Sequence, residues 1–501
     1  MAAGIGSGRG LLATMAVVVV CSGVVQGYLT PLLPGIGAHL GIGSVGQNNL
    51  YLLSQLAFAV LTPLLSRLGD LYGHRRVLRV SVSMVTGGSL LMAAWPATAT
   101  LALGMSLQGA VVGFFPLLAG ILRSRAPELG RTGMSVLVGA LLVSIGAGGL
   151  VAGSLSEGHA VAGLWTAVPL SAAALTAALV LPEGSAARGG HFHFGAATLL
   201  TLGLVALVLV LAQGSAWGWA SPASWGTAAL ALVLLAAWVA VEHRAAHPLV
   251  KVRLLRGSRL AVVNVHTFCL AFGAIGFLGA NAVFLGTEPD EAGYGMGWGS
   301  RTIALVSLAM VALGCLGSTV TPRLAGRVGD RTMLALGGAV CAAGFLTMTA
   351  TDGAPAPYLV GALLVGLATG IFEAVTRTLA AEVVAEDETA LSVGLNELAL
   401  SLGAAIGAAV IGALFAAHRA APDGRLTLAA FRWSWTVCAG VALLGAAAGL
   451  AFRHGTAERG PAPAHPTGPA HPTGPSHPAG SPHPAGPARA EQPLARNGDA
   501  A

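Results

Sequence analysis

Long apolar stretches alternate with short polar connections along almost the whole chain. Fourteen of them centre near residues 23, 58, 86, 111, 144, 171, 203, 231, 273, 311, 341, 368, 403 and 441. A helix needs roughly 20 mostly apolar residues to cross a bilayer, so each stretch is predicted to be a membrane-spanning helix. The most apolar are "FGAATLLTLGLVALVLVLAQ" and "WGTAALALVLLAAWVAVE". Gly and Pro inside these runs do not argue against helix, because membrane helices tolerate both. The first run is too long for a removed signal peptide and ends in no clean small-residue cleavage site.

Composition agrees with this pattern. Of 501 residues, 55% are hydrophobic and 9% charged, with a mean hydropathy of +0.76. Soluble domains carry roughly 25% charged residues, so this chain lacks the material for a polar shell. The class is an all-α polytopic membrane protein. Cys21, Cys269, Cys315, Cys341 and Cys438 all fall inside apolar runs and read as small apolar residues rather than disulfides or metal ligands. With both termini placed in the cytoplasm, the cytoplasmic connections hold 17 Arg or Lys and the external ones four. Basic residues favour the cytoplasmic side, so this orientation is expected, and the basic charge requires no nucleic-acid partner.

The chain also repeats itself. "RLGDLYGHR" (Arg67–Arg75) matches "RLAGRVGDR" (Arg323–Arg331), 256 residues later. "GAVVGFF" (Gly109–Phe115) matches "GLATGIF" (Gly366–Phe372), and "SIGAGG" (Ser144–Gly149) matches "SLGAAI" (Ser401–Ile406), each 257 residues later. The offset spans eight helices, an even number, so the two halves share one orientation and are related by an axis along the membrane normal. The expected organisation is a six-helix bundle over 1–182, two inserted helices and a linker over 183–257, a second six-helix bundle over 258–452, and a tail over 453–501. The tail repeats "HPTGPA"-like hexads and cannot build a packed core. Its spaced histidines could hold a divalent metal, but nothing in the sequence fixes a geometry.

Charge is concentrated in "SRLGDLYGHRRVLR", after 26 charge-free residues between Leu40 and Arg67. Positive-inside anchoring explains Arg75, Arg76 and Arg79. It does not explain Asp70 or Gly73. A carboxylate at a span end can bond to a neighbouring helix N-terminus or to an arginine, and Gly73 permits a tight turn. The pattern Ser66-x-x-x-Asp70-x-x-Gly73-x-Arg75-Arg76 resembles the loop 2–3 signature of the major facilitator superfamily. Ser66 stands where glycine is usual, and His74 where arginine is usual. "LLPGIGAHLG", "GSAWGWASP", "VEHRAAHPLVKVRLLR" and "VGLNELALSLGAAIGAAV" are similar to its fourteen-span drug:proton antiporter branch, of actinobacterial type. The resemblance implies the major facilitator fold and a cytoplasmic latch built from Asp70, Gly73, Arg75 and Arg76, with Asp70 and Arg75 as its charged pair. It further implies export of drugs or antibiotics from the bacterial plasma membrane by alternating access, in exchange for protons. Three positions depart from that branch: Met105 replaces its intramembrane arginine, Gly149 a proline, and Val25 an aspartate.

Charges near the midplane are costly and tend to be functional. Glu397 is the leading proton-coupling candidate, with structural pairing as the alternative. Glu373 and Arg377 lie four apart and can pair on one helix face. His266 titrates in the useful range but can equally be a hydrogen-bonded core residue. Gln26, Tyr28, Gln55, Gln108, Phe115, Asn264 and Asn281 are expected either to line a substrate path or to bond between helices. The expected partners are a small amphipathic organic substrate, protons and lipid, for a monomer that is not an enzyme and needs no cofactor or metal. The alternative is an exporter of a native metabolite, or a facilitator without proton coupling.

Overall fold

The computed structural model describes residues 8–42, 44–155, 159–184, 193–245, 259–351, 354–418 and 426–453. The histidine-rich repeat and Lys251 lie outside the described residues, as does the side chain of Gln55.

The first group of helices is α1 (Gly8–Leu40), α2 (Ser44–Tyr72), α3 (His74–Ala94), α4 (Thr98–Gln108), α5 (Phe114–Arg125), α6 (Gly130–Leu155) and α7 (Ala167–Val180). A 3-10 turn over Gly109–Gly113 joins α4 to α5 into one long rod. Two further helices follow, α8 (Phe194–Trp217) and α9 (Pro222–Arg244). The second group is α10 (Arg259–Ala274), α11 (Leu278–Gly286), the short α12 (Pro289–Ala292), α13 (Ser300–Val328), α14 (Asp330–Thr349), α15 (Pro355–Glu382), α16 (Thr389–Ala417) and α17 (Leu428–Leu450).

All fourteen expected centres fall in helical segments, and among the described residues twelve of these segments are long and apolar enough to cross a membrane. The stretches near 58 and 273 do not belong to the twelve. Around 58, α2 is 29 residues long and carries Pro63 within it. Around 273, the helix breaks between α10 and α11 at Gly276, whose α-carbon faces the Phe272 and Ala404 carbonyls so closely that a Cβ would lie 2.4 Å and 3.0 Å from them. A side chain there has no room, so glycine allows the backbone to bend against α16.

The packing repeats with the sequence. α1 packs on α6 as α10 packs on α16, α3 on α4 as α14 on α15, and α3 on α7 as α14 on α17. Contacts between the groups are reciprocal as well: α2 meets α16, and α13 meets α6. α8 packs on α9 and touches one helix from each group, α2 and α16. Small residues bring these helices close. Gly109 and Gly113 sit against Ala57 and Leu65 of α2, while the repeat-related Gly366 and Gly370 sit against Met310 and Gly314 of α13. Each group holds its own apolar core, but the first also gathers Ala380, Ala381, Val384 and Leu391 from the second. The two groups therefore share buried apolar surface at the end that carries the basic connections.

Candidate functional site

Two polar constellations bridge or border the groups at that basic end. The first begins at Gly73, whose φ of 106° and ψ of 129° stop α2 and start α3 within one residue. L-residues rarely adopt such a φ. The turn leaves Asp70 and His74 a helical turn apart and facing each other, and the His74 Nε2–H donates to Asp70 Oδ1 at 2.9 Å. The aspartate then reaches across to the second group. Its Oδ1 accepts the Ala390 N–H at 3.2 Å and its Oδ2 the Leu391 N–H at 2.8 Å. Those N–H groups lie in the first turn of α16, where the side chain of the N-cap residue Glu388 makes no capping bond. A carboxylate at a helix N-terminus meets both the unpaired donors and the positive end of the helix dipole. Asp70 thus caps a helix in the other half of the molecule, and it does so when almost fully buried.

Arg75 turns elsewhere. Its backbone N–H donates to Glu183 Oε1 at 2.9 Å and its guanidinium to the Leu179 carbonyl at 2.7 Å. With Arg79, which bonds the Ala178 and Leu179 carbonyls, it caps the end of α7. Arg76 is exposed. The partner of Asp70 on its own helix pair is therefore His74, not Arg75. Space explains why a compact ring fits there, since a Cβ on Gly120 or Gly184 would lie 2.4 Å or 2.6 Å from it.

The repeat supplies the mirror contact. Gly329, with φ of 83°, ends α13, and Asp330 opens α14 in the place His74 holds in α3. Asp330 receives the Arg131 guanidinium through two bonds, at 2.7 Å and 2.9 Å, and Glu382 takes two more from the same arginine at 2.9 Å and 2.6 Å. Arg131 stands at the start of α6, the repeat partner of α16. Beside it, Arg123 of α5 donates to the Ala381 and Val384 carbonyls and to Thr389 Oγ1. In one half a carboxylate bonds helix N–H groups; in the other a carboxylate bonds a side chain at the helix start. Sequence reasoning missed Arg123, Arg131, Asp330 and Glu382 as bridging groups. The available signal was the aspartate directly after the second loop's glycine.

The second constellation lies one to two turns further in. Arg377 donates through Nε and NH2 to both oxygens of Glu397, at 2.5 Å and 3.1 Å, and through NH1 to Glu373 at 2.7 Å. The side chains of Arg377 and Glu373 are sealed, while Glu397 keeps 15% exposure. Phe115 of α5 covers the guanidinium face, with 4.9 Å between Cζ and the ring centroid. Asn396, the neighbour of Glu397, donates to Thr267 Oγ1 at 2.7 Å and to Asn264 Oδ1 at 3.3 Å, tying α16 to α10.

The remaining sequence candidates separate cleanly. Tyr28 and Gln108 are buried together inside the first group, where the Gln108 amide donates to Tyr28 Oη and Ser89 Oγ. They hold helices together. Gln26 is half-buried and bonds Ser22 on its own helix. His266 is fully buried, and its Nδ1–H donates to the Gly445 carbonyl of α17. Asn281 is buried in α11, and Asn264 is half-buried beside α16. Met105 and Val25 are buried apolar residues of the first core.

Known proteins place this architecture. Residues 267–491 match the family model described as Major Facilitator Superfamily. The probable actinorhodin transporter of Streptomyces coelicolor is 29% identical over 390 residues, covering 72% of this chain and 64% of that protein. The tetracenomycin C resistance and export protein of Streptomyces glaucescens is 29% identical over 398 residues, covering 74% and 68%. An uncharacterized MFS-type transporter of Mycobacterium tuberculosis is 30% identical over 405 residues, covering 78% of this chain. The chain spans 57% of that relative's length. In fold, the human organic anion transporter MFSD10 superposes with a TM-score of 0.64 at 17% identity, over 88% of this chain and 99% of that one. An all-helical fold of two groups packed alike and a loop 2–3 turn folded as a cross-group cap accompany these likenesses, and the chain is similar to the major facilitator superfamily, whose model matches its residues 267–491.

Proposed function

We propose that the protein is a secondary active exporter of amphipathic organic drugs or antibiotics across the bacterial plasma membrane, driven by inward proton flow. Fourteen spans with both termini inside, two bundles over 1–182 and 258–452, and an insertion over 183–257 complete the reading. The basic end is then cytoplasmic, and Asp70, Arg131 and Arg123 close the bundles there, leaving the path open to the outside. The names of the Streptomyces relatives support antibiotics as cargo.

The observation that carries the proton assignment is the triad of Glu373, Arg377 and Glu397. Two carboxylates share one guanidinium, so the fully ionised site holds one uncompensated negative charge in a region nearly closed to water. One proton neutralises it, and Glu397 is the member that remains partly open. Holding a charge of this kind costs several kcal/mol, and buried membrane charges that costly tend to be functional.

The test uses everted membrane vesicles energised to an inside-acid gradient, with puromycin and ethidium as probes. Addition of a transported probe collapses the gradient in the wild type, and Glu397→Gln abolishes both the collapse and active accumulation. Probe accumulation that survives in Glu397→Gln removes the proton role from this residue. Transport that never dissipates the gradient favours a facilitator, the reading to which the apolar Met105 and Val25 lend support.

A further inference from the structure

We infer that Phe115 is the positioning residue through which the triad senses whether the two bundles are closed together on the cytoplasmic side. This rests on the proposal that Glu397 carries the proton.

All three guanidinium nitrogens of Arg377 point in its plane at carboxylates of the same bundle, from α15 and α16. Its flat face is what remains, and α5 of the opposite bundle covers it with the Phe115 ring. Phe115 is 4% exposed and the Arg377 side chain 4%. Among the described residues, the neighbouring charged groups are engaged elsewhere. On α5, Arg123 is committed to the Ala381 and Val384 carbonyls. Glu382 of α15 is committed to Arg131 of α6, and Asp70 of α2 to the start of α16. His266 of α10 turns to α17. The charges acting on Arg377 are Glu397 and Glu373.

The ring does two things. It stabilises the cation through its quadrupole, and it keeps water from a site whose net charge is −1 when no proton is bound. A dry site penalises that net charge and favours a proton on the more open carboxylate. When the bundles part at the cytoplasmic side, α5 withdraws the ring, water reaches the guanidinium and both carboxylates, and the extra charge becomes tolerable. The proton then leaves to the cytoplasm. A proton affinity that differs between two states means, by reciprocity, that protons shift the equilibrium between those states. The closed form binds the proton more tightly, so acid favours the closed form. Phe115 supplies the difference without touching the proton.

The experiment needs no substrate. Spin labels are placed on Tyr72→Cys and Val328→Cys, exposed at the cytoplasmic ends of α2 and α13, in a Cys315→Ser background, the other four cysteines being buried. Distances are then measured by double electron–electron resonance in nanodiscs from pH 5 to 9. In the wild type, the cytoplasmic pair moves together as the pH falls. Phe115→Ala is expected to move the midpoint down by about one pH unit, and Phe115→Leu, which keeps apolar bulk should the alanine variant fold poorly, moves it the same way by less. Phe115→Tyr keeps the ring and the wild-type midpoint. The inference is overturned if neither Ala nor Leu lowers the midpoint, or if Tyr moves it as Ala does, while Glu397→Gln abolishes the pH response. A wild type that ignores pH, or a Glu397→Gln protein that responds as the wild type, instead removes the proton site itself.

Discussion

Asp70→Asn isolates the most buried charged contact described between the bundles. The carboxylate accepts two N–H groups of α16 and one from His74, in a side chain that is 1% exposed. Hydrogen bonds to a buried charged group contribute roughly 1.5–3 kcal/mol each, and favourable placement at a helix N-terminus adds up to about 2 kcal/mol. Asparagine retains one acceptor oxygen and the shape, but turns an NH2 donor toward donors. It also loses the charge that the helix end favours. Counting the bond it can keep, the two cross-bundle bonds fall by about 3 kcal/mol in total. Only the cytoplasm-closed state makes them, so the loss appears in the ratio of the two states. Each 1.4 kcal/mol is tenfold, which makes the closed state roughly 100-fold less favoured. The assay is the same pair of spin labels at Tyr72 and Val328, read at fixed pH with surface expression and thermal unfolding as controls for folding. A closed-to-open ratio within threefold of wild type would refute the reasoning, because a buried helix N–H left without its acceptor cannot be that inexpensive. Asp330→Asn gives the internal comparison. Its partner Arg131 is 38% exposed, so water screens that pair and its effect is smaller than that of Asp70→Asn.

The other predictions concern packing and the triad. Arg377→Leu leaves two carboxylates buried without a cation and lowers stability in detergent by about 3–5 kcal/mol; adding Glu373→Gln and Glu397→Gln recovers most of it, and thermal unfolding reads both steps. Gly370→Ala would place a Cβ 1.7 Å from the Gly314 carbonyl, forcing α13 and α15 apart at a cost of about 1–3 kcal/mol or more. Gly440→Ala, which meets open space, leaves the unfolding temperature unchanged or raises it. Gly120→Ala presses on the His74 ring and shifts the spin-label distances toward the open form, in the direction of Asp70→Asn but less far.

What could be read along the chain was whatever depends on local pattern. The positions of fourteen apolar segments follow from runs of hydrophobicity, and the two halves follow from three motif matches at one offset, since both are properties of neighbouring or evenly spaced residues. Asp70 and Gly73 stood out because a carboxylate and a glycine have no use in simple topology anchoring, and Glu397 because buried charge is costly. Partnership was not legible. Arg75 is four residues closer than Arg79 to Asp70 and carries the same charge, yet a helix start at His74 turns it toward α7 and leaves a histidine in its place. For Tyr28 and Gln108 the sequence left path lining and interhelical bonding both open, and they bond between helices, because a polar side chain in a span carries no mark of which face of the helix it occupies. Arg131 looked like one more basic anchor until α6 was set against α13 and α14, which placed Asp330 beside it. Phe115 joined Arg377, 262 positions away, only when the bundles met. Local hydropathy decides where helices form, while ion pairs and ring contacts depend on the rotation and approach of helices distant in sequence, which packing alone fixes.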